Sequence, residues 1–120
     1  MTAGKRFLVV DDDIAIAEIL SAAIKYVFDV PTVDLASNAE EALSLLSSTK
    51  YNFLITDHQM PGKKGITLIR EARQIDPSLK AVLVTAFADT LMKKEISDIG
   101  GIGLIKKPFE LDDILCAFPK

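Results

Sequence analysis

Apolar and polar residues alternate along the chain in blocks that predict five strands and five helices. Unbroken apolar runs predict strands at 7–10, 53–56, 79–85 and 102–105. Such runs are typical of a parallel sheet, in which helices cover both faces of each strand. The segment 32–36 predicts a further strand, second in chain order, with Val33 and Leu35 alternating onto one face.

The segments between the predicted strands carry apolar residues at steps of three and four, which predicts helices. With their caps, the predicted helices cover 13–28, 37–48, 66–75, 89–99 and 110–117. Asp13 suits the N-cap of the first helix. Ser37 and Glu40 have capping-box spacing at the start of the second. Five strand–helix repeats predict an α/β fold, a doubly wound parallel sheet with helices on both faces.

Composition narrows the class of protein. The chain has 120 residues, one cysteine and a net charge of −3, which predicts one domain over 1–120 without a disulfide framework. An acidic balance argues against direct nucleic-acid binding by this domain. No apolar run reaches the length of about 18–20 residues that spans a bilayer. We therefore expect no membrane partner and a cytoplasmic location.

Polar residues follow four of the five predicted strands. They are Asp11 and Asp12, then Asp57, Thr85 and Lys107. Because ligands bind outside the carboxyl ends of strands in such sheets, these side chains are expected to share one edge. Clustered carboxylates repel one another unless a cation lies between them. With no histidine or cysteine set beside them, the cluster predicts a hard cation, for which Mg²⁺ is the best fit.

The same residue types suit phosphoryl transfer. A carboxylate can act as the nucleophile and form an aspartyl phosphate. A lysine ammonium and a threonine hydroxyl can hold phosphoryl oxygens. Because this chemistry depends mainly on positioning and charge neutralisation, the pattern predicts a magnesium-dependent phosphoryl site at this edge.

Four segments together resemble the response-regulator receiver domain of two-component signalling, a CheY-like family. They are 7–12, Asp57-x-x-Met60-Pro61-x-x-x-Gly65, 84–86 and 107–109. Each segment alone is weakly specific, but all four in this order are highly specific. The resemblance covers essentially the whole chain and implies a flavodoxin-like (βα)₅ sheet with strand order 2-1-3-4-5.

The resemblance also implies roles at the acidic cluster. Asp57 matches the phosphoacceptor, which takes its phosphoryl group from a histidine kinase or a phosphotransfer protein. Asp12 matches a direct Mg²⁺ ligand, and Asp11 an acidic neighbour that acts largely through water. Asp57 itself and the backbone carbonyl of Gln59 complete the implied metal site.

Further roles follow from the same resemblance. Lys107 matches the lysine that pairs with Asp57 and then with the phosphoryl group, and its bond to Pro108 is expected to be cis. Thr85 matches a hydroxyl that shifts toward the phosphoryl group and repacks an output surface. That surface is implied to bind a downstream protein or a fused output domain. The implied chemistry is self-catalysed phosphoryl acceptance and slow autodephosphorylation, not enzymatic turnover.

Some positions depart from the family pattern. Leu104 stands where the family usually has tyrosine or phenylalanine, which leads to the hypothesis of a muted switch. Lys63 and Lys64 precede Gly65, where acidic or amide residues are commoner. Phe87 is bulky, and we hypothesise that it shields the phosphorylated site from water.

Two alternatives stay open on the sequence alone. The first is a receiver-like interaction module that never accepts phosphate, for which Leu104 is the supporting feature. The second is a phosphohydrolase of the haloacid-dehalogenase type, which also uses an aspartate at a strand end. That class needs Asp-x-Asp-Gly-Thr after the first strand, whereas this chain has Ile14 and Ala15 after its three aspartates.

Overall fold

The computed structural model describes residues 5–30 and 32–118, which form five strands and five helices in strict alternation. The strands are β1 Phe7–Val10, β2 Asp34–Ala36, β3 Phe53–Asp57, β4 Lys80–Thr85 and β5 Ile102–Lys106. The helices are α1 Ile14–Phe28, α2 Ala39–Ser48, α3 Gly65–Ile75, α4 Thr90–Ile99 and α5 Leu111–Ala117. Among the described residues, no helix is long and apolar enough to cross a membrane.

The five strands form one parallel sheet in the order β2-β1-β3-β4-β5. This confirms the predicted doubly wound fold and the strand order implied by the resemblance. The register pairs Val10 of β1 with Thr56 of β3, and Thr85 of β4 with Lys106 of β5. The carboxyl ends of β1, β3, β4 and β5 therefore meet at one edge of the sheet.

Both faces of the sheet are covered, as the unbroken apolar strands predict. On one face, Leu8 and Leu54 pack in a core cluster with residues of α2 and α3. On the other face, Phe7 and Val9 pack with residues of α1 and with Ile114 of α5. Alternate strand residues enter opposite layers, so each layer has its own apolar core.

Two local predictions differ in detail from the structure. Leu35 pairs in register with Val9, whose side chain packs in the same core cluster as the buried Val33, so the predicted shared face fits the register. Leu35 itself is 39% exposed, because β2 is an edge strand. At the start of α2, the cap is Asn38, whose side chain accepts from Glu41 N at 2.8 Å. The Glu41 carboxylate accepts from the backbone of Ser37, one residue away from the predicted pairing.

The amino end of the sheet holds a cluster of four phenylalanines. Phe7 and Phe53 begin β1 and β3 and stack with ring centroids 4.9 Å apart. Phe118, just after α5, packs edge-on against Phe28 of α1 at 4.8 Å and against Phe53 at 5.5 Å. Contacts of this geometry contribute about 0.5–1.5 kcal/mol each beyond their buried area. The cluster thus holds the carboxyl end of α5 against the end of the sheet that lies opposite the polar edge.

Tyr51→Phe is expected to lower the free energy of unfolding by about 1 kcal/mol, because the buried Tyr51 hydroxyl donates to Asp34 Oδ2 at 2.6 Å. Burial, together with Asp34, raises the pKa of Tyr51 to about 12. A raised folded pKa stabilises the fold fully below the unfolded value near 10 and loses that effect as pH rises through 12. Urea unfolding at neutral pH tests the loss of stability, and an ultraviolet titration tests the raised pKa. An alkaline titration that is unchanged in the variant would contradict the raised pKa of Tyr51.

Candidate functional site

Three carboxylates meet at the carboxyl ends of β1 and β3. Asp57 is the last residue of β3, and Asp11 and Asp12 follow β1 directly. One oxygen from each lies within 4.8 Å of the others. Asp11 and Asp57 are buried, with 1% and 4% of their surface exposed, whereas Asp12 is exposed. The site is therefore a shallow acidic recess with one open side.

The ammonium of Lys107 reaches this recess from the far side of β4. Its Nζ lies 3.2 Å from Asp57 Oδ1 and 3.8 Å from Asp11 Oδ2. The Lys107 backbone N–H donates to the carbonyl of Thr85 at 2.8 Å, which fixes the start of the loop after β5. The Lys107–Pro108 peptide bond is cis, as the resemblance implies. One cation thus contacts two of the three carboxylates.

The surroundings of Asp11 satisfy the hydrogen-bonding capacity of its carboxylate only in part. Its Oδ1 accepts from the backbone of Asp13 at 2.9 Å. Its Oδ2 is buried and accepts no hydrogen bond from any described residue. Burial raises the pKa of Asp11, and the negative charges of Asp57 and Asp12 raise it further. A buried oxygen without a hydrogen bond, in a cluster of oxygen ligands, fits a small hard cation such as Mg²⁺.

Thr85 is fully buried at the end of β4, but its hydroxyl is engaged within its own loop. Thr85 Oγ1 donates to the carbonyl of Phe87 at 2.9 Å and accepts from the Phe87 N–H at 3.2 Å. The Phe87 ring is 70% exposed, and the hypothesis that it shields the site stays a prediction. Leu104 is half-buried and packs against the core cluster that contains Leu83 of β4, its partner in the register.

The loop from β3 to α3 carries the residues between Asp57 and Gly65. Lys64 Nζ donates to the Gln59 side-chain carbonyl at 3.0 Å, and Lys63 pairs with Glu71 of α3. Both lysines thus bind groups of their own loop and helix. His58 is half-buried, and burial followed by the charge of Lys64 lowers its pKa. The lowered pKa favours the neutral imidazole, in agreement with its half-buried position.

Gly65 is required by a close backbone approach that the sequence pattern alone does not explain. A Cβ atom at this position would lie 2.9 Å from the Cα of His58 and would also overlap the carbonyl oxygen of Asp57. The Gly65 N–H donates to the His58 carbonyl at 3.1 Å. Gly65 therefore lets the first turn of α3 pack directly against the backbone of the candidate phosphoacceptor.

Comparison with known proteins agrees with this geometry. The family model of the response regulator receiver domain matches residues 7–118. The chain belongs to the response-regulator receiver family. A response regulator receiver protein of Anaeromyxobacter sp. strain Fw109-5 is 35% identical over 92% of the chain. The chain spans 46% of that relative's length and about half of several others.

Other relatives match this receiver along most of their length. Sporulation initiation phosphotransferase F of Bacillus subtilis strain 168 is 26% identical over 98% of this chain and 93% of its own. A Burkholderia pseudomallei response regulator, solved with a phosphorylated aspartic acid, a calcium ion and citrate, is 26% identical. It superposes with a TM-score of 0.84 over 97% of this chain and 67% of its own. Receiver domains are generally signalling modules rather than enzymes.

Proposed function

We propose that this receiver accepts a phosphoryl group on Asp57 from a phosphohistidine of a histidine kinase or a phosphotransfer protein. The observation that carries the proposal is the contact between a buried carboxylate and an ammonium, 3.2 Å apart, inside a three-carboxylate cluster. A purely structural ion pair does not need two further carboxylates at the same place, since each adds repulsion. The relative from Burkholderia pseudomallei, which carries a phosphorylated aspartic acid, supports the proposal.

The proposed metal site uses the oxygen ligands at the open side of the recess. Asp12 and Asp57 would bind Mg²⁺ directly with the backbone carbonyl of Gln59, and Asp11 would act largely through water. When bound, Mg²⁺ neutralises charge on the carboxylates and on the phosphoryl oxygens. The buried Asp11 Oδ2, which accepts no hydrogen bond from a described residue, and the mutual proximity of the three carboxylates support this assignment.

Three residues of the chain have separate roles in the proposed phosphoryl transfer. An Asp57 oxygen attacks phosphorus, so an oxygen–phosphorus bond forms while the bond between phosphorus and the donor's imidazole nitrogen breaks. Lys107 holds Asp57 before transfer and then pairs with a phosphoryl oxygen. The Thr85 hydroxyl exchanges its bond to the Phe87 carbonyl for one to a phosphoryl oxygen. That exchange would loosen the loop before α4 and change the surface offered to a downstream protein or output domain.

Intact-mass measurement tests the proposal. The protein is incubated with a small phosphodonor and Mg²⁺, and the wild type is expected to gain the mass of one phosphoryl group. Asp57→Asn is expected to gain none, because its amide cannot act as the nucleophile, while Asp98→Asn on the exposed surface of α4 serves as the matched control. A wild type that gains no mass would favour the interaction-module alternative; steady phosphate release from a phosphomonoester would favour the phosphohydrolase.

Asp11→Asn separates metal binding from folding. A raised pKa means that the charged form of Asp11 opposes folding, so stability rises as pH falls through the folded pKa. The neutral amide is expected to raise the metal-free free energy of unfolding at pH 7, because it removes one of three carboxylate charges that repel one another. The wild type should gain about 2.7 kcal/mol at Mg²⁺ one hundredfold above its Kd, and the variant much less. Urea unfolding with and without Mg²⁺ checks this; equal Mg²⁺ gains in both proteins would refute it.

A further inference from the structure

Helix α1 has two apolar faces, of which only the inward one packs in the core of the described residues. Its inward face buries Ala17, Leu20 and Ile24. Its outward face exposes Ile19 by 55% and Tyr26 by 78%. A surface helix normally carries polar residues on its outward side. The outward apolar residues therefore need a separate explanation.

The outward residues of α1 form a regular stripe. Ala15, Ile19, Ala22 and Tyr26 are all exposed and follow one another at steps of four, three and four. This spacing is that of alternating d and a positions of a coiled-coil seam. Large and small side chains alternate along it. We call these four residues the α1 stripe.

We propose that the α1 stripe packs against the same stripe of a second copy of this chain, antiparallel about a two-fold axis. In that arrangement, Ala15 faces Tyr26 of the second copy, and Ile19 faces Ala22. Each layer then combines one large and one small side chain, which fills a seam without voids or overlap. A parallel pairing would instead place Tyr26 on Tyr26 and leave gaps at both alanines. The pattern of sizes thus selects the antiparallel arrangement.

Charges along the stripe select the same arrangement. Glu18 and Lys25 are exposed, lie on the same edge of the stripe and correspond to g positions of the heptad. Within residues 5–30 and 32–118, neither side chain has an ion pair. In an antiparallel pair, g positions face g positions, so Glu18 meets Lys25 of the second copy, twice by symmetry. A parallel pair places no opposite charge beside either one.

The position of the stripe links association to the phosphorylation site. It begins two residues after Asp13, the N-cap of α1, which adjoins the acidic recess. It extends from Ala15 to Tyr26, twelve residues that span about 16 Å of helix. An interface of this size is small, so the dimer is expected to be weak and to depend on concentration. A dimer formed here would compete with any protein that approaches Asp57 along α1.

Sedimentation of the full chain between about 10 μM and 1 mM tests the proposal. The wild type is expected to move toward a dimer as concentration rises. Glu18→Lys should weaken association about tenfold, because each of two ion pairs becomes a repulsion. The double variant Glu18→Lys with Lys25→Glu should restore it, and Ile19→Asp should abolish it. Leu91→Asp, at a position on α4 that is 67% exposed against 55% for Ile19, is the matched control and should change nothing.

Three results would overturn the dimer. They are a wild type that stays monomeric over the whole range, a control variant that weakens association as much as Ile19→Asp, and a double charge reversal that restores nothing. Circular dichroism of each variant separates loss of association from loss of folding. Phosphorylation of Ile19→Asp by a small phosphodonor is expected to match that of the wild type. The experiments can therefore contradict the proposed dimer without contradicting the proposed phosphoacceptor role of Asp57, and the reverse.

Discussion

Gly65→Ala is expected to lower the free energy of unfolding by about 3 kcal/mol, the upper end of the range for overpacking a rigid site. The added methyl group would meet the Asp57 carbonyl oxygen, and it would also lie 2.9 Å from the Cα of His58. Backbone atoms cannot rotate away as a flexible side chain can. Relief therefore requires α3 to move away from the end of β3. Urea unfolding of the metal-free protein measures the loss.

The Gly65 prediction has a matched control in the loop that precedes α3. Gly62 has a φ of +82°, and a Cβ there would meet nothing within 4 Å. Gly62→Ala is therefore expected to cost only backbone strain, about 1 kcal/mol. Moving α3 also displaces Asp57, so phosphorylation of Gly65→Ala should slow while that of Gly62→Ala stays close to normal. Equal losses of stability in the two variants would show that the close contact is unimportant.

Lys107→Met is expected to destabilise the metal-free protein by about 2 kcal/mol at pH 7. Removing one partner of a fully buried ion pair costs about 3–5 kcal/mol, and the Lys107 side chain is 26% exposed, which reduces the effect. Without the ammonium, the carboxylates of Asp57 and Asp11 repel each other with no cation between them. Phosphorylation should also slow at least about tenfold, because a charge that pairs with the phosphoryl group is lost.

The deficit of Lys107→Met should depend on pH and on Mg²⁺. Asp11 has a raised pKa, so acidification neutralises it in the folded state before the unfolded state and shrinks the deficit. Added Mg²⁺ should shrink it as well, by replacing the missing positive charge. Lys106→Met, at an exposed neighbouring position, is the control and should cost little. A deficit that is constant across pH and Mg²⁺ would show that lost packing, not charge, is responsible.

Much of this fold was predictable because the sequence pattern and the strand environment agree. The apolar run Phe7–Val10 predicts a strand covered on both faces, and all four of its residues are buried. The topology then predicts the position of the site, because parallel strands bring their carboxyl ends to one edge of the sheet. Asp11, Asp57 and Lys107 converge there for that reason. The strand order itself came from the family resemblance, because periodicity does not distinguish one order of parallel strands from another.

What sequence reasoning missed is the choice of hydrogen-bond partner. The Thr85 hydroxyl bonds within its own turn, which depends on the local path of the chain after β4. Arg73 on α3 donates to the backbone carbonyls of Leu79, Gly100 and Gly101, and so holds the loop before β5. No sequence spacing marks such a contact, because the arginine and two of its acceptors are 27 and 28 residues apart. Contacts of this kind depend on tertiary geometry.

The phenylalanine cluster at the amino end of the sheet determines how α5 can move. Phe118 fixes the far end of the helix against Phe7, Phe28 and Phe53. The near end of the helix follows directly from the Lys107 loop, and the helix between has seven residues, about 10 Å. A short rigid rod that is hinged at one end cannot slide along its axis. A displacement at Lys107 is therefore expected to rotate α5 about Phe118, with the largest movement at the end of the helix nearest the Lys107 loop.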